Sequence, residues 1–495
     1  MIPSLLYETA AHHPNHIAIY DNHEITYAQL SELVKSTSQA LKEEGIRPGM
    51  GVGVMGKNGH QFIAMAFAVM DCGAVVMPIS NQLKGAEVQD IVRTARLHAI
   101  LDDQNGPVPS FLEKKVKEVK SGERGERGNG GPVELVMPNG VTWRLSFNLE
   151  VDKDKTFAPH VKDAALIRFT SGTTGVSKGV ILSHQSIVER TEAANKVLQL
   201  GPEDTVVWVL SMAYHFVVSI ILYLRYGCSI AVCDSFIADT IIDMTNRHNG
   251  TFFYGSPMHI RLLASDRTEQ MLPSLKRVIS TSTGISQAQC EAFFKRFNIP
   301  VSQAYGIIEV GLPVINFEKS KTAPEAVGYA LPDYEVEIVN DEGGVQSPGV
   351  IGHLAMRGPG MFDAYLEPPK GRGEVMQNGW FMTGDLASKQ PDGLIKIEGR
   401  KKSMINVSGN KVFPEEVEAV LNQHKAVHLS RVSGFQHRFL GECVQAEVML
   451  ENGQEVDVES LIGFCRERLS TYKVPQKIQF VKELPMTDSG KIIRS

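Results

Sequence analysis

The sequence predicts a layered α/β protein in unequal parts: a large N-terminal domain of α/β subdomains plus a small β subdomain, then a smaller α+β C-terminal lid domain. Three observations point there. At 495 residues the chain is longer than one hydrophobic core can serve. Short apolar runs alternate with amphipathic helical stretches as far as Tyr305, the pattern of stacked βα units. Past Ala326 the helices thin out in favour of strands spaced by Gly and Pro, and a new βα pattern opens near Pro414.

Taken in order, residues 16–20 and 24–27 read as strands, and 28–44 as a helix whose apolar side carries Leu30, Leu33, Val34, Ala40 and Leu41. Strands follow at 51–55, 74–79 and 98–101, separated by helices at 61–70 and 86–97, which resembles a doubly wound sheet. The Lys/Glu/Arg/Gly run at 113–132 reads as a solvated surface excursion. Alternation resumes through a helix at 185–200, strands to Leu210, at 230–233, 252–254 and 275–280, a helix at 286–297, and a strand ending at Tyr305. Strands at 334–339, 352–357 and 394–398 suggest the small β subdomain. Helices at 414–423 and 458–469 with strands near 427–432, 444–450 and 478–481 suggest the lid, which places the domain boundary at 1–400 and 401–495.

Composition excludes several classes. Fifty basic against fifty-six acidic residues give a net charge of −6 with no sustained basic face, so nucleic acid is not an expected partner. The six cysteines form no Cys-x-x-Cys pair, which argues against a zinc site or a disulfide framework and for a reducing, cytoplasmic setting. The N-terminus has neither the basic start nor the apolar run of a signal peptide. Residues 206–224 are uncharged over nearly a bilayer span, but the opening Val-Val-Trp-Val-Leu is typical of a buried strand, so strand plus buried helix is expected and no membrane span.

The chemistry starts at Phe169-Thr-Ser-Gly-Thr-Thr-Gly-Val-Ser-Lys178-Gly179, between two apolar runs. Its glycines let backbone N–H groups turn toward one anion, and its hydroxyls and Lys178 add donors and a charge, so it reads as a phosphate cradle or, on composition alone, as a Ser/Thr/Gly linker. The Gly-x-x-x-x-Gly-Lys-Ser/Thr spacing of a P-loop is absent. With this loop stand Ser302-Gln-Ala-Tyr-Gly-Ile-Ile-Glu309, Gly379-Trp-Phe-Met-Thr-Gly-Asp385, Gly399-Arg400-Lys-Lys-Ser and Pro485-Met-Thr-Asp-Ser-Gly-Lys491. In that order and spacing these motifs resemble the adenylate-forming superfamily of acyl-CoA synthetases, adenylation domains and luciferases, over nearly the whole chain.

The resemblance implies that a carboxylate attacks the α-phosphate of ATP, giving an acyl adenylate and pyrophosphate, and that a thiol of CoA or of a carrier-protein phosphopantetheine then takes the acyl group. It implies roles residue by residue. Thr170, Ser171, Gly172, Thr173, Thr174 and Gly175, with Lys178, would hold the leaving phosphates. Glu309 would ligate Mg²⁺, an ion that takes few carboxylates plus phosphate oxygens and water. Asp385 would accept from the ribose hydroxyls with Arg400 close by, Tyr305 would stack under the adenine beside Gly306, and Gln303 would face its amino group. Lys491 would bridge the carboxylate and α-phosphate oxygens, Lys402 would be the hinge of the lid, and Gly409 would pass to the thiol tunnel.

Departures from the family pattern bear on rate and substrate. Ser177 replaces a proline before Lys178, and Ile308 replaces the threonine whose hydroxyl contacts the α-phosphate. Thr281, Ser282 and Thr283, followed by Gly284, stand where a Gly-Gly-Ala loop lines the acyl pocket, and are expected to narrow it. Met212-Ala-Tyr-His215 keeps the histidine that caps this pocket, but the chain continues Phe216-Val217-Val218 where amino-acid adenylation domains place an aspartate for the ammonium. An unpartnered buried ammonium is costly, so the expected substrate is a fatty, aryl or other non-α-amino acid. An amino-acid adenylating enzyme, a luciferase-like oxygenase and a nucleotide binder with impaired turnover are the other readings.

Overall fold

A computed structural model describes residues 1–104, 133–136, 141–170, 178–235, 237–407, 410–437, 441–486 and 492–493. Two nine-stranded sheets carry the larger part. In one, Gly51–Gly56, Val75–Ser80, Ala99–Asp102 and Ala164–Thr170 run parallel at the centre, and Lys178–Ser183 and Thr142–Phe147 add antiparallel flanks. Gly51–Gly56 and Val75–Ser80 are buried along their whole length, which is why they read as continuous apolar runs rather than alternating ones. In the other sheet, Ile17–Tyr20, Ser229–Val232, Thr205–Trp208, Phe252–Gly255, Arg277–Ser280 and Val301–Ile307 are parallel, Gly311–Ile315 adds on antiparallel, and the short Tyr329–Ala330 closes that edge.

Local chemistry sets the helix starts. Thr26 and Gln29 cap Tyr27–Glu43 reciprocally at 3.2 and 2.9 Å, and Ser183 accepts from the Ser186 N–H to open His184–Leu198. Three helices that periodicity did not assign, Ile2–His12, Ala238–Arg247 and Pro257–Ala264, pack on this core. Residues 206–224 resolve into the strand Thr205–Trp208, a wide turn Phe216–Ile221 kinked at Val218, and the short helix Leu222–Arg225, all lined by buried side chains. No helix among the described residues is long and apolar enough to cross a membrane. All six cysteines are free and buried.

The β subdomain is a four-stranded antiparallel sheet of Glu335–Val339, Gly352–Arg357, Phe381–Lys389 and Ile395–Arg400. Beyond it, Ile405–Val407, Asn410–Val412, Val427–His437, Gly441–Leu450 and Lys477–Phe480 form a separate sheet, packed with helices Pro414–Leu421 and Val458–Arg466 around Val412, Val417, Leu421, Val448 and Leu461. This part meets the larger one where Phe413 covers Gly399: a Cβ at Gly399 would stand 2.8 Å from the Phe413 ring. The excursion at 113–132 lies outside the described residues.

Candidate active site

The strand Val301–Ile307 and the turn after it carry Gln303, Tyr305, Gly306 and Glu309, and the β subdomain brings Asp385 and Arg400 to Tyr305. Asp385 and Arg400 are directly opposed across Phe381–Lys389 and Ile395–Arg400, so the sheet register places acid and base together. Arg400 Nε lies 2.8 Å from Asp385 Oδ1, and the Tyr305 hydroxyl donates to Oδ2 at 2.5 Å. The Asp385 side chain is only 5% exposed, which makes both contacts charge-assisted in a low-dielectric setting. Burial, reinforced by the adjacent Asp385, pushes the Tyr305 phenol well above its ordinary range, so it remains a donor.

Gln303 is turned inward. Its Nε2 donates to the carbonyls of Pro324 at 2.9 Å and Ala326 at 3.4 Å, and its Oε1 accepts from the Ile285 N–H at 3.2 Å. Instead of presenting its amide to a base, it ties the residue after Gly284 to the strand that bears Tyr305. Gly306 is set by a close crossing, since a Cβ there would stand 2.5 Å from the Gly311 carbonyl oxygen.

Glu309 accepts from the Tyr365 hydroxyl at 3.3 Å, and Lys178 Nζ stands 4.7 Å over the Tyr365 ring. Burial pushes the Glu309 carboxyl up; a backbone N–H, Tyr365, and the charges of Arg168 and Lys178 pull the other way without fully offsetting it. A buried carboxylate left partly uncompensated suits a hard cation, so the residues present fit a magnesium ion at Glu309.

Among the residues expected to line the acyl pocket, Ser282 Oγ lies 3.4 Å from His215 Nε2, and the His215 ring meets Trp208 and Tyr254 edge-on, each with centroids 6.4 Å apart. Val217 is buried in the wide turn, where the Ser219 hydroxyl donates to the His215 carbonyl. The expected narrowing by residues 281–283 falls to one of them. Thr281 is buried with its hydroxyl on Tyr254, Thr283 is exposed, and Gly284 opens onto free space, so Ser282 alone reaches His215. Ser282 does so at φ +78°, a left-handed backbone that favours glycine.

Thr170 ends its strand opposite Lys178. Ser171, Gly172, Thr173, Thr174, Gly175, Gly409 and Lys491 lie outside the described residues. Lys402 is exposed in the turn after Arg400, and its neighbour Lys401 reaches back to Asp341 at 2.9 Å and His353 at 3.3 Å. Sequence reasoning missed Tyr365, which lies outside every motif, and Arg168, one charged residue inside an apolar strand. An unexpected charge in such a run is the signal that could have found Arg168.

Two parallel-centred sheets, a small β subdomain, a separate C-terminal sheet, and a Tyr–Asp–Arg cluster with a half-buried glutamate four residues after the tyrosine define an adenylate-forming enzyme. The chain belongs to the AMP-binding enzyme family: the family profile matches residues 6–366, and that of the AMP-binding enzyme C-terminal domain matches 416–491. It is 28% identical to a long-chain-fatty-acid–CoA ligase of Bacillus subtilis (strain 168) over 100% of this chain and 93% of that protein. It is 27% identical to a 2-succinylbenzoate–CoA ligase of Geobacillus sp. (strain WCH70) over 100% of this chain and 96% of that protein. ATP-bound MatB from Rhodopseudomonas palustris shares the fold, with a TM-score of 0.82 at 23% identity over 99% of this chain and 97% of that one.

Proposed function

We propose that this chain is an AMP-forming acid–thiol ligase that activates a non-α-amino carboxylic acid with ATP and passes the acyl group to the thiol of CoA. The observation that carries the reading is the convergence of Tyr305, Asp385 and Arg400 where the β subdomain meets the strand that leads to Glu309, in a chain related along its whole length to CoA ligases. Asp385, fixed between a phenol and a guanidinium, is an ionised acceptor for a ribose diol. Both reactants are anions, and Lys178 and Arg168 supply fixed positive charge near Glu309. Glu309 would hold a magnesium ion, which neutralises phosphate charge when bound.

The acyl side supports the substrate class. Val217 is apolar and buried, and the charge nearest to Tyr214 and His215 on the described strand is the Arg168 guanidinium, which would repel an ammonium. The same reading makes residues 401–495 the lid, with Lys402 at its hinge, Gly409 at the thiol tunnel and Lys491 over the α-phosphate.

Pyrophosphate exchange across short, medium, aryl and β-amino acids, followed by a comparison of CoA with carrier-protein phosphopantetheine, tests the proposal. Exchange with non-amino acids and transfer to CoA are expected; exchange with no acid refutes it. Lys491→Ala is expected to abolish adenylate formation while sparing transfer from a preformed adenylate, and equal loss in both half-reactions would remove that role from Lys491.

A further inference from the structure

Arg168 is the one charged residue of the strand Ala164–Thr170. It pairs in register with Val180, so its side chain leaves the sheet on the face of Val180, which belongs to the same core cluster as Phe216 and Val217, while Ile167 and Phe169 pack on the opposite face. Its guanidinium stands 5.8 Å from the Tyr214 ring, and Tyr214 immediately precedes His215. Its Nε is sealed from solvent with no hydrogen-bond acceptor, and among the described residues no carboxylate forms an ion pair with it. Glu309 acts on it only through longer-range attraction.

A guanidinium stays charged under any ordinary condition, and in this half-buried side chain sealing Nε without an acceptor is costly. The position therefore favours an anionic guest with planar geometry, which a carboxylate supplies. Two anions enter this enzyme, the ATP phosphates and the acid. Contact with Tyr214 beside His215, in the wall that also contains Val217 and Ser282, places Arg168 with the acid.

We infer that Arg168 is a substrate-binding residue that receives a carboxylate of the acid in a pocket closed by Tyr214 and His215. This rests on the ligase reading and deepens it. The carboxylate is either the one that reacts or a second one borne by a dicarboxylic acid, and the test separates them.

The test compares the full-length protein with Arg168→Met and Arg168→Lys, using mono- and dicarboxylic acids of matched length. KM for acid and for ATP is read by pyrophosphate exchange, and acid binding without ATP is read by the thermal shift. With Arg168→Met, the acid KM is expected to rise at least tenfold at unchanged ATP KM, the acid-induced thermal shift to vanish, and the ligand-free Tm to equal or exceed that of the parent. Arg168→Lys should recover part of the affinity, because it keeps the charge and loses the fork. Loss across all acids assigns the reacting carboxylate; loss confined to dicarboxylic acids assigns the second one. Unchanged acid KM with a lowered Tm would make Arg168 a structural cation, and a rise in ATP KM alone would assign it to phosphate; either overturns the inference. If the parent protein exchanges with no acid yet still gains an Arg168-dependent thermal shift from carboxylates, the ligase reading falls and the carboxylate site stands.

Discussion

On the proposed nucleotide side, Asp385 is gripped by Tyr305 at 2.5 Å and Arg400 at 2.8 Å, whereas on the proposed acyl side Arg168 meets no carboxylate among the described residues and Ser282 sits in a left-handed backbone at φ +78°. The first wall is assembled before any ligand arrives: its acid, phenol and guanidinium satisfy one another, and a sugar diol joins a network already in place. The second wall is left incomplete, with a cation lacking its partner and a backbone carrying strain of order 1–3 kcal/mol. Preorganisation lowers the cost of binding an unvarying ligand such as ATP. An incomplete wall makes binding depend on what the guest supplies, which gives selectivity for the acid.

Three substitutions sharpen or break this contrast, beginning with the largest effect. Glu309→Gln should lower pyrophosphate exchange by on the order of 10²-fold, the scale of losing one preorganised charge stabiliser. Because burial raises the Glu309 carboxyl in the folded state, its ionised form costs stability that is recovered as pH falls through the raised value. The ligand-free variant should therefore melt higher than the parent near neutral pH and no higher at acid pH. A pH-independent difference would show that Glu309 is not held at a cost. Tyr305→Phe removes one donor from the complete wall. It should lower the stability of the ligand-free fold by about 1.5–3 kcal/mol, the value of a hydrogen bond to a charged group, and raise the ATP KM while the acid KM holds. A matching rise in acid KM would erase the distinction between the walls. Ser282→Gly should stabilise the ligand-free fold by about 1 kcal/mol in denaturant unfolding through relief of the positive φ, and should broaden acid selectivity as the contact with His215 is lost. Lower stability would mean that the hydroxyl outweighs the strain.

Much of this was legible in the sequence, for identifiable reasons. Strands such as Gly51–Gly56, buried on both faces, leave unbroken apolar runs, and caps such as Thr26 and Ser286 mark helix starts. Asp385, Arg400 and Tyr305 were each placed by local motifs, and sheet register then brought them together. The helix Ile2–His12 was hidden because Met1 offers no capping side chain to mark its start. The strand Phe381–Lys389 was hidden because Gly384, at φ +80°, interrupts its alternation where Asp385 must be presented. The inward turn of Gln303 depends on carbonyls at Pro324 and Ala326, contacts that no local pattern encodes. Arg168 showed in the sequence as a lone charge in an apolar run, but its lack of an acceptor at Nε is visible only in three dimensions.

The bond from the Ile285 N–H to Gln303 bears on redesign. It pins the downstream end of segment 281–284 to the strand of Tyr305, as the pairing of Ser280 with Gln303 fixes the upstream end, while Gly284 opens onto free space. The four residues thus form an exchangeable insert with a fixed downstream anchor. Varying them while keeping Ile285 and Gln303 should retailor the choice of acid without disturbing the grip on the nucleotide.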